Sequence, residues 1–224
     1  MNHLRESRQV NDGNAEVSRA LNFSSDEPAV VFRLAWYVVA SKPNLILDEH
    51  SEAESKDFQG SAKFSLRIAG EAANTTIQVT KSKSSVELTA QGLDEVALSV
   101  YLDDHLEAMS DALAKYQALP EEDKAKLRRA LVAKTCWDRV VREILNKAPA
   151  NDVYLQVAHG REMMIKSTEG ENGLLPVTLT TAAWLSKIES LPRDETIPGN
   201  IASELAKKSI EWKRETQEFI SRYI

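Results

Sequence analysis

The chain has 224 residues, of which 42% are hydrophobic and 28% charged, with a net charge of −6. This is an ordinary globular composition on a chain long enough to bury a sizeable core. The acidic balance excludes a generally basic, nucleic-acid-coating surface but leaves room for a local basic face, and the single cysteine, Cys136, excludes an internal disulfide.

Residues 1–25 are polar and mixed in charge, without the apolar stretch of a signal peptide, and read as a mobile N-terminus. With one free thiol, the expectation is a soluble cytoplasmic protein. Ser25-Asp26-Glu27-Pro28 is a helix start: a capping residue, acids in the first turn, and proline near the first helical position. The helix it opens runs to about Ser41 and stops before Pro43. Its apolar residues lie almost all round, which predicts a central, buried helix. The run Ala29–Ala40, broken by Arg33, is too short to cross a bilayer. Leu45-Ile46-Leu47 reads as a short strand and 48–61 as an acidic, serine-rich exposed loop.

Three strands are predicted next, at Phe64/Leu66/Ile68, Ile77/Val79 and Val86/Leu88, because apolar residues alternate with polar ones as in an antiparallel sheet with one buried face. A helix over about 93–116 carries the stripe Leu98, Leu102, Leu106, Met109 and Leu113. A second, over 121–147, should bury Leu127, Leu131, Trp137, Val141 and Ile144. Val153-Leu155-Val157 and Met163-Ile165 read as a hairpin turning near His159-Gly160, with a further strand at Val177 and Leu179. Thr180 or Thr181 then caps a helix containing Trp184, Leu185 and Ile188. A last helix from about Gly199 to Tyr223 carries Ile201, Leu205, Trp212, Thr216, Phe219 and Tyr223.

The fold class is therefore α+β: antiparallel strands packed on long helices, with a helical C-terminus. A single domain over 26–224 is expected, with pseudo-repeats at 63–116 and 152–191. Both stretches read strand, strand, strand, helix, and Val86-Glu87-Leu88-Thr89 can be laid on Val177-Thr178-Leu179-Thr180; chance likeness of short alternating strands is the alternative. The element order is similar to the sheet-plus-long-helix repeats of the PUR and PC4-like single-stranded nucleic-acid binders. That resemblance implies a curved sheet offering aromatic and basic residues to splayed bases. The predicted strands depart from it by carrying few aromatics, chiefly Phe64 and Tyr154.

Asp48-Glu49-His50 and Asp103-Asp104-His105 have donors suited to a divalent metal or to acid–base work. However, three consecutive helical residues point in three directions and cannot hold one ion together. His159-Gly160-Arg161-Glu162 reads as a polar hairpin turn or a small active-site loop. Cys136 lacks an identifiable histidine partner and reads as a small core residue. No phosphate-cradling, dinucleotide, nucleophile-elbow or zinc motif is present, so no catalytic, cofactor or metal residue is assigned. The clearest charge feature is the helix at 121–147. Its acids gather at the N-terminus, as the helix dipole favours. Lys124, Lys126, Arg128, Arg129, Lys134, Arg139 and Arg142 then form a basic face suited to a phosphate backbone or an acidic partner, or simply to solvent.

Three functional readings fit: a non-enzymatic binding or assembly protein acting through a macromolecular partner or self-association as a homodimer; a single-stranded nucleic-acid binder; and an enzyme without a recognisable motif, using His159, Arg161 or the Asp48–His50 segment.

Overall fold

The computed structural model describes residues 7–11, 14–23, 27–41, 45–53, 59–68, 71–80, 85–92, 95–169 and 175–224. The chain divides into two compact units, 1–117 and 118–224, where the sequence suggested one domain. The α+β class and the helical C-terminus hold.

The first unit runs β1 (Ser7–Asn11), β2 (Asn14–Asn22), α1 (Pro28–Val39), β3 (Leu45–Ala53), β4 (Gln59–Ile68), β5 (Glu71–Thr80), β6 (Ser85–Gly92) and α2 (Glu95–Ala118). All six strands form one antiparallel sheet in the order β1-β2-β6-β5-β4-β3. The three predicted strands are there, and the segment read as an exposed loop lengthens β3 and begins β4, with 54–58 outside the described residues. The capping residues Ser25 and Asp26, and Pro43, also lie outside them.

The N-terminus corrects the sequence reading. Residues 7–11 and 14–22 are strands, and β2 pairs with β6, so the first and last parts of the unit's sheet meet. The period-two pattern is present in Val17, Arg19, Leu21 and Phe23, all buried. Arg19 disguises it, because a charged residue at a core-facing position breaks the apolar alternation. Its charge is met by Asp103 on α2, with Arg19 Nε donating to Asp103 Oδ1 at 2.9 Å. Ser18 and Thr89, opposite one another across β2 and β6, share a hydroxyl hydrogen bond of 2.8 Å.

Helix α1 lies against β4, β5 and β6. As predicted, it is buried nearly all round, with Val31, Phe32, Leu34, Ala35 and Trp36 at most 1% exposed. Phe32 and Trp36 meet edge to face, the arrangement the ring quadrupole favours. Helix α2 buries the expected stripe, and Tyr116 near its end donates its hydroxyl to Glu27 at the start of α1, at 2.6 Å.

The second unit holds α3 (Glu121–Leu145), α4 (Ala150–Ser167), α5 (Pro176–Glu189) and α6 (Gly199–Ile220). Helix α3 packs on α4 and α6, α4 on α5, and α5 on α6. Prolines place every helix start here: Pro120, Pro149 and Pro198 are the residues just before α3, α4 and α6, and Pro176 opens α5. Each fixes φ near the value a helix entrance needs and lacks an N–H that would otherwise go unmatched. The segment after α5 closes over the start of α4: Ala150 N–H donates to Glu195 O at 2.8 Å and Asn151 N–H to Arg193 O at 3.1 Å.

The second pseudo-repeat is therefore corrected: 153–157, 163–165 and 177–179 are helical, and no β-β-β-α unit occupies 152–191. In α4 the buried residues after Ala150 are Val153, Val157, Gly160, Met164 and Ser167. Their spacing of four, three, four, three is one face of a helix. The misleading residue is Leu155, which supplied the apparent alternation and is 54% exposed. In α5 the run Val177–Thr181, β-branched except at Leu179, resembles a strand. Its threonines instead bond back along the helix, Thr178 Oγ1 to Leu175 O at 2.7 Å, Thr180 Oγ1 to Pro176 O at 3.0 Å and Thr181 Oγ1 to Val177 O at 2.6 Å. The hydroxyls are thereby satisfied without a sheet.

Gly160, read as a turn glycine, is a packing glycine in mid-helix. A Cβ there would stand 2.5 and 2.6 Å from two ring carbons of Trp137 and 3.0 Å from Cys136 Cβ. Both neighbours are fully buried, so neither ring nor backbone has space to yield. Gly160→Ala gains about 1 kcal/mol of helix propensity but overpacks a closed core, which costs typically about 1–3 kcal/mol and more where nothing moves. The expected outcome is a lower urea midpoint with an unchanged slope; an unchanged or higher midpoint would show that the α3–α4 approach is looser than described.

Candidate functional site

The seven cations predicted as a contact face on α3 have different fates. Lys124 lies 3.1 Å from Glu121, Lys126 3.0 Å from Glu122, and Arg128 3.8 Å from Glu121. Lys124 and Lys126 each pair with an acid of the first turn one helical turn away, which is where opposite charges meet on a helix, while Arg128 reaches back two turns to Glu121. Arg129 donates to the carbonyl of Lys166 at 2.7 Å, at the C-terminal end of α4, where unmatched carbonyls collect. Arg142 meets Glu143 at 3.2 Å, and Arg139 is half-buried. The stretch that reads as a basic stripe is, in these contacts, partly neutralised by its own acids.

Lys134 is the departure. It is fully buried, as Asp138 nearly is, and its ammonium lies 3.1 Å from Asp138 Oδ2. Lys213 of α6 reaches the other oxygen, Oδ1, at 2.7 Å. One carboxylate thus faces two cations between α3 and α6. Loss of hydration pulls the Lys134 ammonium down to about 7; Asp138 holds it up, and Lys213 adds to the fall. In the sequence Lys134 is indistinguishable from the surface cations, because a lysine in a charged helix is normally solvated. The available clue was the i, i+4 spacing to Asp138 inside the run Ala133–Val140.

The other candidates are dispersed. Asp103 is engaged by Arg19, and the ring of the buried His105 bonds the carbonyl of Tyr101 through Nδ1 at 2.6 Å. Asp48, Glu49 and His50 lie on β3, with His50 edge-on to Trp36 at 6.0 Å and Glu49 exposed. His159 is exposed on α4, and Arg161 donates to Thr178 O at 3.1 Å, tying α4 to α5. Cys136 is buried and reduced. Among the described residues, no group of three or more His, Cys, Asp and Glu side chains could hold a metal ion.

Glu215, which the sequence reading did not single out, lies on α6 and accepts the backbone N–H of Val177 at the start of α5. Burial nonetheless raises its carboxyl above the usual range.

Two concavities flank α4. One, of about 190 Å³, lies between α4 and α5 and is lined by Tyr154, Leu155 and Ile188, with Glu189 and Arg193 beside them. The other lies where α3 ends and α4 and α6 begin. The first has an apolar floor and charges of both signs, and exposed Leu155 stands at its edge. That arrangement can receive an apolar side chain from a partner, with polar groups around it to fix orientation.

No protein-family model and no curated protein matches this sequence. No helix among the described residues is long and apolar enough to cross a membrane.

The buried cluster gives two expected outcomes. Lys134→Met removes the costlier of the two cations and leaves Asp138 its bond to Lys213, so stability at pH 7 should be unchanged or higher. Asp138→Asn removes the counter-charge of both lysines, so that Lys134 must give up its proton in the folded state or stay unpaired, and should cost about 3–5 kcal/mol. As for pH, Lys134 has a lower pKa folded than unfolded, so above about 7 the unfolded chain binds the extra proton. Stability therefore rises with pH from about 7 towards the ordinary lysine range, and below that window the group adds no slope. Urea unfolding at pH 6, 8 and 9.5 should show this rise in the wild type relative to Lys134→Met. Parallel curves would mean that Lys134 is not depressed.

Proposed function

We propose that this chain is a non-enzymatic binding and assembly protein, docking a macromolecular partner through the face of the helical unit that carries the α4–α5 groove. A second copy of the chain is the partner to test first. The observation that carries this reading is the exposed Leu155 beside an apolar depression formed with Tyr154 and Ile188. A large apolar side chain left in water at the rim of a groove is an anchor of the kind partners bury.

The residues that looked reactive support the same reading. His105 and Arg161 have structural hydrogen bonds, Cys136 is enclosed, and His159 stands exposed on a helix. Against nucleic-acid binding stand the helical second half of the expected repeat and the acids or carbonyl beside Lys124, Lys126, Arg128, Arg129, Lys134 and Arg142.

Light scattering of the purified protein at micromolar concentration should give twice the 25.0 kDa chain mass. Leu155→Glu should return it to the monomer without lowering the melting temperature. A wild type that stays monomeric over the micromolar range removes self-association. In that case, salt-sensitive binding of single-stranded oligonucleotides, weakened by Arg128→Gln, would replace the docking reading with the nucleic-acid one.

A further inference from the structure

Helix α3 ends in a left-handed turn, away from the α4–α5 groove. Lys147 has φ of 55°, and it is the one non-glycine residue with positive φ among the described residues. It follows the helix cap at Asn146, and two bonds close the turn there: Lys147 N–H to Ile144 O at 3.1 Å and Ala148 N–H to Glu143 O at 2.9 Å. This is the left-handed helix ending at which glycine is the usual residue, because any side chain is strained there. A lysine is a poor choice if the turn is the only requirement.

That lysine lines the larger of the two cavities, about 360 Å³, between the end of α3, the start of α4 and the start of α6. The volume lies within the range of small-molecule sites. Val153, fully buried, and the half-exposed Ile144 and Ile197 give an apolar lining. Among the described residues that line it, Lys147, itself exposed, is the only charged one, and no carboxylate is among them. The opposite wall is the first turn of α6. Its preceding residue is Pro198, which supplies no side-chain oxygen to cap the positive end of that helix. Gly199, first in the helix, leaves open space: a Cβ there meets nothing within 4 Å. The α4–α5 groove differs in carrying both Glu189 and Arg193. An apolar cavity with charge of one sign at its edge selects a ligand with an apolar body and a charge of the other sign.

We propose that this cavity binds a small amphipathic carboxylate, with its alkyl or aryl body against Val153, Ile144 and Ile197 and its carboxylate between the Lys147 ammonium and the first N–H groups of α6.

The test is a titration of the isotope-labelled full chain with octanoate at pH 7, read by amide chemical shifts, with octylamine and octan-1-ol as controls. Saturable shifts confined to Ala148 and the amides of 199–202 are expected with octanoate. Octylamine should give none and octan-1-ol weaker binding. Lys147→Gly should raise the melting temperature, because it relieves the strained turn, and yet weaken octanoate roughly tenfold by removing the charged partner. Those opposite movements are what a purely structural lysine would not produce. Gly199→Phe should fill the open space and abolish binding, with the melting temperature unchanged. Absence of saturable octanoate shifts, or equal octanoate affinity in Gly199→Phe, would overturn the site. Equal affinity for octanoate and octan-1-ol, or no loss in Lys147→Gly, would overturn its preference for an anion.

Discussion

How closely α4 can approach α3 is set at Gly160, and the helical unit is arranged around what that approach permits. With no side chain at 160, the Trp137 ring lies directly against the backbone of α4. The same indole donates through Nε1 to Thr216 of α6 at 2.9 Å and stacks, tilted, on Trp212 at 5.4 Å. Trp212 in turn donates to Thr180 of α5 at 2.8 Å. Two indoles therefore link all four helices, and each buries a large apolar body while its one polar group is satisfied. Met164, facing the same region from α4, receives the Thr216 hydroxyl on its sulfur at 3.7 Å.

This arrangement explains which parts of the fold the sequence conveyed. Long helices with regular stripes were legible: α1, α2, α3 and α6 lie within a few residues of their expected places, since a 3.6-residue period over many turns admits few alternatives. Short segments were not. In α4 the buried set includes a glycine and a serine, which carry no apolar signal, while Leu155 points outward and carries a strong one. In α5 a threonine-rich run has strand-like composition, and only its backward hydroxyl bonds and its partners on α6 decide for helix. In β2, Arg19 occupies a core position because Asp103, 84 residues later, is there to meet it. In β2 the local pattern is overruled by a contact distant in sequence, whereas in α5 the hydroxyl bonds that favour helix are themselves local.

The candidate sites follow the same division. Charge type was legible and burial was not. Lys134 belongs chemically with its surface neighbours but lies inside, where Asp138 and Lys213 hold it, and no count of charges along α3 would reveal that. The two concavities are invisible in the sequence because each collects residues from two or three elements. Leu155 and Lys147, the residues most exposed to functional interpretation, each sit where a residue chosen for folding alone would differ: a polar side chain on a solvent-facing position, and glycine at a left-handed turn. Departures of this kind are where function is sought.

Trp137 and Trp212 form one closed unit that opens only when the four helices separate. Hydrogen exchange of the indole N–H groups tests it directly. Both rings are at most 1% exposed, and both N–H groups have threonine partners. Their exchange should be the slowest among the indoles of this unit, with equal opening free energies for the two that match urea unfolding of the unit. Half-buried Trp184 should exchange far sooner. Exchange of Trp137 ahead of Trp212, at an opening energy well below that of unfolding, would contradict the account and show that α3 and α4 part locally at Gly160.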